Sequence, residues 1–165
     1  MAGVVCFNHG KESGPWGSKI QRLAAVATAA GYQVLSPDYR GVDRVEDRVE
    51  RLLSALPARC GELILVGSSM GAYVAAAASP LCRPDGLFLL APAVYLPGYP
   101  SDALVPDAAR IVVVHGWHDE VVPVDNALRF CRQHALPLLL VDGDHRLMAP
   151  LESICRQFRL FLAAG

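Results

Sequence analysis

At 165 residues the chain has the length of one domain and enough material to bury a sizeable core. Fifteen basic against sixteen acidic residues leave a formal net charge of −1, which gives nucleic acid no electrostatic footing as a partner. The hydrophobic fraction of 53% is high, yet Gly, Pro or a charge interrupts every long apolar run, so no membrane insertion is expected. The opening "MAGVVCFNHG" has no basic segment and too short an apolar one for a secretory signal, and the expectation is a cytoplasmic protein. Cys6, Cys60, Cys82, Cys131 and Cys155 contain no C-x-x-C pair. They read as reduced thiols, with neither metal nor cofactor expected.

The first apolar run, "GVVCF" (3–7), leads through "NHGKESGPWGS" into "SKIQRLAAVATAAG", a helical pattern that Gly31 should stop. "YQVLS" (32–36) is the second strand. In "DRVEDRVERLLSAL", Val45, Val49, Leu52, Leu53 and Leu56 form one stripe, and Asp43 with Glu46 resembles a capping box. "ELILV" (62–66) runs into "GSSMG" and the Ala-rich helix "MGAYVAAAA", which can lie close against a sheet. "GLFLL" (86–90) is followed by "APAVYLPGYPSDALVPDAA" (91–109), rich in Pro and small residues. A loop of that length in a compact domain is often functional, and a purely structural crossover is an equal alternative. "RIVVV" (110–114), the segment "HGWHDEVVP", the helix "PVDNALRFCRQH", the strand "LPLLLV" (136–141), the segment "DGDHRL" and the helix "PLESICRQFRLFL" complete the chain.

The strand candidates are continuous rather than alternating in hydrophobicity, as in strands buried on both faces. Strand–helix alternation then predicts an α/β fold: a three-layer α/β/α sandwich around a six-stranded, mainly parallel sheet with right-handed crossovers. No repeat or linker divides residues 1–165, and no segment is long enough for a separate cap.

Ligands of open α/β sheets bind beyond the carboxyl ends of the strands. The segments at those ends supply a serine, a carboxylate and a histidine, in that chain order. "GSSMG" fits G-x-S-x-G with Ser69 at its centre, where a sharp strand-to-helix turn would expose the hydroxyl beside a helix N-terminus. A Ser/Gly-rich turn explains the five residues alone equally well. Asp119 and His145, read singly, are ordinary loop residues; at the ends of three different strands the set is that of a serine hydrolase.

These residues resemble the α/β-hydrolase superfamily over nearly the whole chain. "HGWHDEVVP" looks like its H-G-x-x-D-x-x-V-P segment, "DGDHRL" its terminal G-x-H segment, and "FNHG" the H-G motif opening the oxyanion loop. The chain is most similar to small bacterial members with "HGKESGPWG"-like and "GSSMG" segments. The resemblance implies strand order 2-1-3-4-5-6, with the first two strands of the full pattern missing. It also implies that Ser69 is the nucleophile, His145 the general base and Asp119 the acid that orients it. The Met70 and Lys11 N–H groups would form the oxyanion hole. Ser68 should be a turn residue, His115 and His118 loop-shaping, and Asp142 and Asp144 the alternative acids. His9 is expected to brace the oxyanion loop and border the pocket, with Trp16, Tyr95, Leu96 and Tyr99 lining it under a covering loop 91–109. The expected substrate is a small carboxylic ester or thioester, taken by a monomer or homodimer. A peptidase or amidase of the same fold and a non-catalytic binding protein are the alternatives.

Overall fold

The computed structural model describes residues 1–165. Six strands, β1 (Val4–Asn8), β2 (Gln33–Leu35), β3 (Leu63–Ser68), β4 (Gly86–Leu90), β5 (Arg110–Gly116) and β6 (Leu138–Val141), form one sheet in the order β2-β1-β3-β4-β5-β6. Every neighbouring pair is parallel. Five helices cover it: α1 (Ser18–Ala29), α2 (Val45–Ala55), α3 (Met70–Cys82), α4 (Val124–His134) and α5 (Leu151–Ala163). This is the α/β/α layering and strand order expected from the alternation and the resemblance. No helix is long and apolar enough to cross a membrane.

The pleat divides the core in two. Val5, Phe7, Ile64, Val66 and Phe88 face α1 and α5, packing with Leu23, Ile154 and Phe158. Val4, Cys6, Leu65, Leu87 and Leu89 face the other way, packing with Leu52 of α2, Ala72, Val74, Ala75 and Ala78 of α3, and Phe130 of α4. Buried on both faces, β1, β3 and β4 need the continuous apolar runs by which they were recognised. The edge strands β2 and β6 are only partly buried.

Two expectations change. Asp43 does not cap α2: the helix begins one residue later, with Arg44 at the N-cap position and no side-chain cap. Glu46 and Asp47 in its first turn offer the helix dipole its negative charge instead. The loop 91–109 begins beside Ser69, whose carbonyl accepts the Ala93 N–H, then runs along α3 and α4, and it contains no helix. It is the β4–β5 crossover itself. Parallel neighbours require the chain to return the length of the sheet, and here an extended segment does so without a helix.

The crossover lies against α3 and α4. Tyr73 Oη donates to the Pro100 carbonyl at 2.9 Å, and Tyr73 and Tyr99 meet edge-to-face with centroids 5.4 Å apart. Asn126 Nδ2 donates to the Val94 carbonyl at 2.9 Å, and the Asp107 N–H to Ser79 Oγ at 2.8 Å. The ring of Tyr95 lies under the Arg129 guanidinium, and its hydroxyl bonds Gln133 near the C-terminus of α4. That end of α4 belongs to the edge of the sheet opposite the strand carboxyl ends. Tyr95 is therefore directed away from the catalytic edge, while Tyr99 packs on Tyr73 in the first turn of α3, and both rings are engaged in packing. The crossover leaves the amino end of β5 thinly covered, and a groove of about 530 Å³ opens there between Ile111, Leu136 and Leu160.

Tyr99→Ala is expected to cost about 2 kcal/mol, roughly half the loss for a fully buried aromatic, while ester chain-length preference stays as in the wild type. Denaturant unfolding and a chain-length series measure the two. A changed preference at unchanged stability would return the crossover to the role of a cover.

Candidate active site

β3 ends at Ser68 and α3 starts at Met70, so Ser69 alone makes the turn, at φ 56° and ψ −117°. The flanking glycines permit it. A Cβ on Gly67 would stand 2.4 Å from the Cα of Ala72, and one on Gly71 1.9 Å from the carbonyl oxygen of Asn8. Only with both side chains absent can α3 rise directly from the strand and lie against the end of β1. Ser68 is the last residue of the strand rather than part of the turn. It lines a small void with Ile20 and Leu23 on the α1 face, away from the hydroxyl of Ser69.

The turn presents Ser69 Oγ to His145 Nε2 at 2.9 Å, and His145 Nδ1 lies 2.7 Å from Asp119 Oδ2. Asp119 follows β5, while His145 follows β6. The loops after these strands are laced together by Trp117 N–H to the Val141 carbonyl and His118 N–H to the Gly143 carbonyl, at 2.9 and 3.0 Å. The Asp119 side chain is wholly buried, whereas that of His145 is 20% exposed, so the histidine stands between a dry carboxylate and the solvent-facing serine. The other carboxylate oxygen, Oδ1, accepts the N–H groups of Val121 and Val122 at 2.9 and 2.7 Å. Burial pushes the Asp119 pKa up, but hydrogen bonds from His145 and the two amides outweigh it, and the net shift is downward. An ionised Asp119 fixes the proton of His145 on Nδ1 and leaves Nε2 as an acceptor for the serine hydroxyl.

The other predicted residues divide. Met70 opens α3 and has no carbonyl a turn earlier in the helix for its N–H. Neither that N–H nor that of Lys11 donates among the loop and cap hydrogen bonds. Asp142 is 95% exposed and pairs with His118 at 3.0 Å; Asp144 accepts the Arg146 and Leu147 amides and shapes the histidine loop. Neither pairs with His145. His9 is fully buried, with Nε2 accepting the Tyr39 N–H at 2.8 Å and Nδ1 donating to the Gly10 carbonyl at 2.8 Å. Trp16 is exposed on the loop after β1, and Leu96 is half-buried on the crossover.

Three features escaped the sequence reading. Trp117, Val121 and Met148 are exposed apolar side chains on the two loops that carry Asp119 and His145. The places of Trp117 and Val121 inside "HGWHDEVVP", and of Met148 directly after "DGDHRL", were the available signal. His115, expected to shape its loop, is fully buried with Nε2 2.9 Å from the Val122 carbonyl and 3.4 Å from Asp119 Oδ2. Lys19 Nζ donates to the Arg146 carbonyl at 3.0 Å, tying α1 to the histidine loop, and burial, aided by Arg146, holds its pKa down to about 8. Arg48, fully buried on α2, bonds the carbonyls of His9 and Gly10.

Comparisons with known proteins place the chain in a family. The model of the alpha/beta hydrolase family matches residues 4–111. A solved protein of the alpha/beta hydrolase superfamily from Xanthomonas campestris pv. campestris is 33% identical, with TM-score 0.87 and all of both chains covered. The chain therefore belongs to the alpha/beta hydrolase family. An alpha-beta serine hydrolase homologue from Coxiella burnetii superposes with TM-score 0.81 at 24% identity, over 98% of this chain and 84% of that one. A lidless a/b serine hydrolase from Xanthomonas campestris does so with TM-score 0.74 at 18% identity, over 96% and 79%. These two likenesses are of fold. No curated protein matches the sequence.

His9 and His115 make stability depend on pH. Burial is the main cause that lowers both pKa values below the ordinary 6.5. Below pH 6.5 the unfolded chain therefore binds protons that the folded one refuses, and stability falls as pH drops, by at most about 1.4 kcal/mol per pH unit for each histidine. Thermal unfolding at pH 7.5 and pH 5.5 should give the lower Tm at pH 5.5. An equal or higher Tm there would contradict the burial of the two rings.

Proposed function

We propose that the chain is a serine hydrolase that cleaves a small carboxylic ester or thioester through an acyl-enzyme. The observation that carries the proposal is the unbroken Ser69–His145–Asp119 relay, with hydrogen bonds of 2.9 and 2.7 Å on a turn that exposes the hydroxyl. Ser69 Oγ attacks the acyl carbon while His145 Nε2 takes its proton, and Asp119 stabilises the imidazolium. The N–H groups of Met70 and Lys11 receive the developing oxyanion. When the tetrahedral adduct collapses, the carbon–heteroatom bond breaks and His145 returns its proton to the alcohol or thiol that leaves. Water then repeats the attack with His145 as base, releasing the carboxylic acid and restoring the Ser69 hydroxyl.

A peptidase or amidase reading has less support, because no element is inserted between the strands and helices of the sheet to wall an extended groove. A non-catalytic binding protein that keeps the three residues is the reading from another class. A fluorophosphonate probe distinguishes it, since covalent labelling requires an activated Ser69.

Against a panel of p-nitrophenyl esters and acyl-CoAs, Ser69→Ala is expected to be inactive and Ser68→Ala nearly as active as the wild type. Asp119→Asn should keep the fold and lose at least about 10³-fold in kcat, on the scale of the roughly 10⁴-fold loss in a serine protease. Activity retained in Ser69→Ala, or lost only in Ser68→Ala, would refute the assignment of the nucleophile.

A further inference from the structure

Arg48 is 1% exposed, and it heads the fully buried side chains by volume. Its hydrogen bonds go to backbone carbonyls: Nε to Val42 at 2.7 Å, and Nη1 to His9 at 3.1 Å and Gly10 at 3.3 Å. Its guanidinium carbon lies 5.2 Å from the centre of the Tyr39 ring. A buried cation held by dipoles and a ring, without a carboxylate, is costly to the fold, and an apolar side chain at this position on the inner stripe of α2 would avoid the cost. Stability alone does not account for it.

The carbonyls it holds belong to the loop after β1. In a trans peptide the C=O and the following N–H point in opposite directions, and the chain has no cis peptide bond. With the carbonyls of His9 and Gly10 drawn toward α2, the N–H groups of Gly10 and Lys11 face away from it. Gly10 lies beside the nucleophile: a Cβ on it would stand 3.6 Å from the Cβ of Ser69. The His9 ring adds a second donor to the Gly10 carbonyl, its tautomer fixed by the Tyr39 N–H at Nε2. A peptide at glycine turns over easily. Turned over, the Gly10–Lys11 unit would present a carbonyl oxygen, and not an N–H, to a developing oxyanion.

We propose that Arg48 is a positioning residue for the oxyanion loop, clamping the His9 and Gly10 carbonyls on the α2 side so that the following N–H groups stay turned toward Ser69. This rests on the serine-hydrolase reading above. The clamp acts on the transition state and leaves ground-state binding of the ester largely alone.

The test compares wild type, Arg48→Met and Arg48→Lys by Tm, by kcat and KM on p-nitrophenyl acetate, and by inhibition with phenylboronic acid, whose tetrahedral adduct mimics the oxyanion. Arg48→Met is expected to fold and to lose about 10²-fold in kcat, the scale of one missing oxyanion donor. KM should change little, and phenylboronic acid affinity should fall in parallel with kcat. Arg48→Lys keeps the charge but cannot span both carbonyls, and should lose about tenfold, a fraction of the full effect. The pH dependence of kcat should be the same in all three. Wild-type kcat in either folded variant would overturn the proposal, as would a fall in Tm with kcat per folded molecule unchanged. If Arg48→Met does not fold, Arg48→Lys decides alone. Fluorophosphonate labelling of the wild type separates the two claims. An unlabelled wild type removes the hydrolase reading and this one together, whereas a labelled wild type with fully active Arg48 variants removes the positioning role only.

Discussion

Ser69 stands at φ 56° and ψ −117°, a conformation that costs an L-residue about 1–3 kcal/mol and survives only where the surroundings impose it. They do so from both sides. The Ser69 N–H donates to the Leu90 carbonyl at 2.9 Å, and its own carbonyl accepts from Ala72, Tyr73 and Ala93. The strained residue is thus pinned to the ends of β3 and β4 and to the first turn of α3. The strain aims the hydroxyl: a relaxed turn would have to lengthen the path from strand to helix and carry Oγ away from the histidine.

The remaining parts meet this fixed point by sheet register. Because β5 and β6 are parallel and paired from Val113–Leu138 to Gly116–Val141, their loops leave at the same level. The carboxylate and the imidazole therefore arrive side by side. β1 pairs with β3 up to Asn8 and Gly67, which sets the His9–Gly10 loop against the start of α3. Asn8 anchors it there, donating to the Val66 carbonyl and accepting the Tyr39 hydroxyl at 2.7 Å. Apart from the serine turn, the site is assembled from loops whose positions the parallel sheet dictates.

What the sequence revealed follows the same physics. Inner strands were legible because burial on both faces requires unbroken apolar runs, and Ser69, Asp119 and His145 because each directly follows such a run or its turn. Asp43 misled because a capping pattern states a local preference, while the start of α2 is set by where Arg48 and Leu52 must point. Tyr95 and Tyr99 were assigned to a pocket because they follow a strand's carboxyl end. The Pro and small residues of "APAVYLPGYPSDALVPDAA" mark a loop, but nothing in them shows that it will pack along α3 and α4. Arg48 was passed over because an arginine beside an apolar stripe ordinarily extends its head into water. Its spacing of three from Val45 and four to Leu52 was the missed sign that it pointed inward.

The most direct measurement of the central claim is rapid-quench mass spectrometry of the protein turning over p-nitrophenyl butyrate, with peptide mapping of any adduct. A butyryl group on the Ser69 peptide, formed before the steady state and absent in Ser69→Ala, is the predicted result. Steady hydrolysis without acylation at Ser69, or acylation mapped to another residue, would contradict the account.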